Sequence, residues 1–122
     1  QGHTPLYLAA MHGSTSMVNL LCSAKVVQIA SSERNWSPLL RAAVGGYKDI
    51  VEILLDNDAN IDHKDCYRLS ALHIASAKGH TEVVELLFRR GASINAREST
   101  RKTPLHLASL KGHSKIVELL CQ

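Results

Sequence analysis

Thr103-Pro104-Leu105-His106 occurs four times in this chain in recognisable form. The other copies are Thr4-Pro5-Leu6-Tyr7, Ser37-Pro38-Leu39-Leu40 and Ser70-Ala71-Leu72-His73. Each copy starts 33 residues after the last, with no insertion or deletion. A fixed period of this length implies stacked supersecondary units rather than one globule, because a single unit cannot bury its own apolar surface.

Positions around the motif keep the same register. A small pair follows it (Ala9-Ala10, Ala42-Ala43, Ala75-Ser76, Ala108-Ser109), then a glycine (Gly13, Gly46, Gly79, Gly112). An apolar block closes each unit: Met17-Val18-Leu20-Leu21, Ile50-Val51-Ile53-Leu54, Val83-Val84-Leu86-Leu87 and Ile116-Val117-Leu119-Leu120. Thr or Ser ahead of Pro is a helix start, since the hydroxyl caps free amides and proline has no N–H to leave unpaired. The glycine suits a left-handed helix end. The spacing i, i+1, i+3, i+4 lays an apolar stripe along a second helix, which directs Leu54 and Leu86 into the inter-helix core. Each unit is therefore two short antiparallel helices with a close-packing first helix.

Period and motif together resemble the ankyrin repeat, from about Gly2 to Gln122. The resemblance implies an all-α solenoid of stacked antiparallel helix pairs linked by projecting β-hairpins. It predicts one domain, 1–122, with units at about 2–34, 35–67, 68–100 and 101–122. Gly2 aligns with the hairpin tips Asn35, Arg68 and Arg101, and neither end unit has a polar outer face, so the chain reads as a segment of a longer array.

Composition narrows the function classes. There is no apolar run of transmembrane length, and Gln1-Gly2-His3 does not open a signal peptide. Three cysteines without a C-x-x-C pair make neither a disulfide framework nor a zinc site. Cys22 and Cys121 share a repeat position with Leu55 and Phe88 and read as buried small hydrophobes, with Cys66 at a hairpin tip. An intracellular setting, cytoplasmic or nuclear, follows from the reduced thiols.

Seven histidines invite a catalytic or metal reading. His73 and His106 fall on the motif, while His80 and His113 follow the unit glycine, so these four read as scaffold. His3, His12 and His63 have no ligand partner at metal spacing. A catalytic constellation has no reason to repeat every 33 residues. The expectation is a non-enzyme with no catalytic residue, no cofactor and no metal.

Departures from the family pattern carry the partner reading. The tip glycine is replaced by Asn35, Arg68 and Arg101, and arginine in a left-handed conformation costs on the order of 1 kcal/mol. Lys25 and Asp58 stand where Gly91 ends the second helix of the third unit, and Val26-Val27-Gln28-Ile29 makes the first hairpin irregular. Leu40 and Tyr7 replace the motif histidine. Trp36, Leu69 and Lys102 share one repeat position, and Arg34 and Tyr67 share another, so stacking should align them beside Arg41, Arg68 and Arg101. On the hairpin and first-helix side, nine basic residues face four acidic ones; the second helices carry five basic and seven acidic. The reading is a monomeric protein-binding module that grips an apolar, acidic segment through its tips and first-helix face. Trp36 could instead fold onto its own hairpin. Alternatives are a polyanion or nucleic-acid binder on the basic side, which lacks a stacking series of aromatics, or an architectural spacer in a larger protein. No membrane contact is expected of this segment. Asn95, after Ile94, resembles the hairpin asparagine that intracellular dioxygenases hydroxylate in this family; a hydrogen bond across the hairpin is the competing role.

Overall fold

A computed structural model describes residues 5–23 and 37–121, with side chains described for 8–20 and 37–121. Among them are eight helices in four pairs: α1 (Pro5–Met11) with α2 (Thr15–Ser23), α3 (Pro38–Gly45) with α4 (Lys48–Asp56), α5 (Ala71–Lys78) with α6 (Thr81–Arg89), and α7 (Pro104–Lys111) with α8 (Ser114–Leu120).

First helices start as the motif predicts. Ser37 and Ser70 caps each accept from the amide three residues on, at 3.4 Å. The Thr103 hydroxyl does the same for His106 at 3.3 Å. In the third and fourth units the histidine completes a capping box: His73 and His106 Nδ1 accept from the Ser70 and Thr103 N–H, both at 3.2 Å. Both ends of the reciprocal bond are thus satisfied by one short motif. In the second unit the motif histidine is replaced by Leu40, which is fully buried.

Alanines set the spacing of the stack. Ala10, Ala42, Ala43, Ala75 and Ala108 are fully buried, and α1, α3, α5 and α7 pack side by side on them. The second helices fill the layer behind with Val18, Ile50, Val51, Leu54, Val83, Val84, Leu86, Leu87 and Ile116. They touch one another less than the first helices do.

The unit glycine has two jobs. At Gly79 φ is +81°, a left-handed helix end. A Cβ there would also lie 2.7 Å from the ring of His113 in the next unit. Gly46 meets His80 in the same way, and Gly13 meets the ring of Tyr47. Gly112 has nothing within 4 Å.

The linkers depart from the β-hairpin expectation. No strand is formed among the described residues; the linkers reverse as tight turns. Each main-chain reversal is closed by two backbone bonds: Asp65 N–H to Leu69 O at 3.1 Å with Arg68 N–H to Asp65 O at 3.0 Å, and Glu98 N–H to Lys102 O at 3.0 Å with Arg101 N–H to Glu98 O at 2.8 Å. These bonds stay within a single five-residue turn and do not extend into a ladder. The first linker, with Lys25, the Val26–Ile29 stretch and Asn35, lies outside the described residues. Cys121 corrects the burial expectation: it is exposed at the end of α8. Cys66 is exposed as expected, and the side chain of Cys22 lies outside the description.

Candidate partner-binding face

Two adjacent turns, 57–70 and 90–103, form the described part of the tip row. Each is organised by a carboxylate at the same repeat position. Asp65 Oδ1 accepts from the N–H of Tyr67 at 2.8 Å and of Leu69 at 2.9 Å. Glu98 Oε1 accepts from the N–H of Thr100 at 2.7 Å and of Lys102 at 3.0 Å, and from the Thr100 hydroxyl. Burial pushes the Glu98 pKa up, but the hydrogen bonds from Thr100 and Lys102 and the Lys102 charge outweigh it and hold the carboxyl below its ordinary value. The turns are tied together by Ser99 N–H to Tyr67 O at 2.9 Å. Nearer the helices, Ser93 N–H donates to Asp62 Oδ1 at 3.1 Å.

This geometry forces the tip residue into the left-handed region. Arg68 has φ +64° and Arg101 φ +70°. Asp58, the other non-glycine substitute, has φ +70° where Gly91 has +88°. Both arginines are exposed, as is Arg97, and no described residue hydrogen-bonds or pairs with their guanidinium groups. Tyr67 beside Arg68 is 52% exposed, although it is a large side chain with no scaffold position to fill.

The other expected site residues are placed less simply. Leu69 is half-buried and packs on the core, so it supports the tip more than it presents a surface. Lys102 is half-buried; its ammonium donates to the Thr100 hydroxyl at 3.1 Å, and its carbonyl accepts from His73. Arg41, on α3, is half-buried and has interactions within the structure. Asn95 is exposed in the turn after Ile94. Arg34 and Trp36 lie outside the described residues, as does His3.

The repeated histidines are stitches between units. His73, fully buried, reaches forward from Nε2 to Lys102 O at 3.1 Å, while its Nδ1 faces the Ser70 N–H. That pattern assigns the neutral ring with the proton on Nε2. Burial lowers its pKa, against the opposing pull of the Lys102 and Ala96 carbonyls and Glu98, and with a further lowering by Lys64. His80 and His113 reach back, to Val44 O at 2.9 Å and Ala77 O at 3.1 Å. Tyr47 occupies their repeat position in the second unit. This backward stitch, with its ring laid on the preceding glycine, was not anticipated from sequence; the signal was the shared 33-residue register of Tyr47, His80 and His113. Among the described residues no group of three or more His, Cys, Asp or Glu could hold a metal, and no helix is long and apolar enough to cross a membrane.

Comparison with known proteins agrees with this architecture. Over 57 residues the chain is 37% identical to the transient receptor potential cation channel subfamily A member 1 of Homo sapiens, a match covering 47% of this chain and 5% of that channel. The chain thus spans a small fraction of the length of that relative. A family model described as ankyrin repeats (3 copies) matches residues 1–65 and again 59–122. With its capped helix pairs, left-handed glycines and stitched stack, the chain belongs to the ankyrin-repeat family, whose arrays are in general protein–protein interaction modules.

Proposed function

We propose that this array holds a protein partner across its tip row and the neighbouring first-helix face. The reading rests chiefly on Tyr67, Arg68 and Arg101. All three are exposed on adjacent tips, and two occupy a backbone conformation that glycine would fill with less strain. Tyrosine and arginine are also the side chains enriched at binding hot spots. Arg34 shares the repeat position of Tyr67, Trp36 that of Leu69 and Lys102, and Arg41 on α3 belongs to the first-helix face. A monomer in an intracellular compartment suits such a surface, and it needs neither a cofactor nor a catalytic group.

The experiment is site-specific photocrosslinking in cells, with a benzophenone residue at position 67 or, as control, at Glu85 on the exposed side of α6. Position 67 should yield defined protein adducts that position 85 does not. Identical adduct patterns from the two positions would sink the tip-row reading. Crosslinks dominated by nucleic acid would favour the polyanion alternative, whose steep salt dependence is a second check.

A further inference from the structure

The two described tips carry one cation pattern twice. Lys64 and Arg97 share a repeat position, and so do Arg68 and Arg101. The carboxylate between each pair accepts from the turn's own amides. Arg68, Arg97 and Arg101 have no side-chain partner among the described residues. The Ser99–Tyr67 bond holds the two tips in fixed register. The positive charge is therefore repeated at the stacking distance of the units, about 8–10 Å for packed helices.

We propose that Arg68 and Arg101, with Arg97 beside them, read an acidic, extended polypeptide segment whose carboxylates recur at every third residue. The proposal rests on the tip-row reading above and names the chemistry of its partner. A polyproline-II segment has three residues per turn and rises about 3.1 Å per residue, so side chains at i and i+3 face the same side about 9 Å apart. That spacing matches successive rungs of the row. The exposed Tyr67 ring next to Arg68 supplies the aromatic surface on which such segments dock. An α-helix returns to one side at a similar distance only after seven residues, and its bulk leaves Tyr67 less to stack on.

Four probes at equal charge would be titrated against the full chain: a Glu-Pro-Pro repeat peptide, a peptide of the same composition with its glutamates clustered, a helical peptide with glutamate every seventh residue, and a single-stranded oligonucleotide. The Glu-Pro-Pro repeat should bind at least tenfold more tightly than the other three. Arg68→Gly with Arg101→Gly should abolish that preference without lowering the melting temperature, since glycine relieves the tip conformation. Arg68→Lys with Arg101→Lys should keep part of it. Spacing-independent binding, equal binding of the oligonucleotide, no binding of the repeat peptide, or full binding by the glycine pair would each overturn the proposal. Hydrogen exchange on any complex formed separates the two readings. Protection at 65–69 and 98–102 that depends on Tyr67 but not on the arginines leaves the tip-row reading standing alone. Protection elsewhere ends both.

Discussion

Arg68 and Arg101 hold φ values of +64° and +70° that an L side chain adopts at a cost. Replacing either with glycine should raise stability by about 1 kcal/mol, read as a higher denaturant midpoint at unchanged slope. A loss of stability would show that the side chain contributes to the scaffold. His73 makes the opposite kind of prediction. Its folded pKa lies below the unfolded value of 6.5, so below that pH the unfolded chain binds a proton that the folded chain resists. Stability contributed by neutral His73 is complete above about pH 6.5 and is lost progressively as pH falls toward the folded pKa. His73→Gln should flatten the stability slope between pH 7 and 5.5; an unchanged slope would mean the buried ring is protonated in place.

Single residues differed in how far they could be read beforehand. The capping role of Ser37, Ser70 and Thr103 is local, since donor and acceptor lie within one turn, and the motif reveals it directly. The forward and backward reach of His73, His80 and His113 spans 29 or 36 residues and depends on the distance between units, which no short window contains. Cys121 departs from its repeat-mates: Leu55 is buried and Phe88 half-buried, whereas Cys121 is exposed, a difference that shared register alone does not reveal. Leu69 was placed on the face by its register with Trp36, but a leucine at the foot of a tip turns inward to apolar contact.

At the scale of elements, the glycine-to-ring contacts can be isolated by a matched pair of variants. Gly79 and Gly112 have nearly the same φ, +81° and +77°, but only Gly79 is covered by a ring from the next unit. Gly112→Ala should therefore lose only the conformational cost, about 1 kcal/mol. Gly79→Ala must also displace His113 and its bond to Ala77 O, and should lose roughly 1–3 kcal/mol more. Equal losses would show that the ring shifts freely and that the stitch is weak. Leu54 and Leu86, 3% and 4% exposed, sit in the layer between helices as their spacing required. Truncation of either to alanine should lose roughly 2–5 kcal/mol in denaturant melts. The exposed Arg90–Asp56 ion pair, 3.0 Å apart at the ends of α6 and α4, should contribute under 1 kcal/mol by comparison.

Across the whole molecule, stability in a stacked array is a sum of unit and interface terms. The third unit buries six residues of α5 and four of α6, whereas α7 buries only Pro104 and Ala108 and α8 only Ile116 and Leu120. Amide exchange should accordingly be slowest in α5 and α6 and faster in α7 and α8; uniform protection would imply one cooperative block. The joints between units are also unequal across the thickness of the stack. First helices are close-packed on alanines, and imidazole–carbonyl bonds fasten α5 to α7 near both ends and α3 to α5 near one, while second helices approach one another less extensively. Mechanically this is a row of plates hinged along one edge. Bending or tension should be taken up as splay between α4, α6 and α8, like the pages of a book held at the spine. The Ser99–Tyr67 bond ties the turns that carry Arg68 and Arg101 in register, so their spacing should act as a stiff ruler while elastic compliance falls mainly on the second helices.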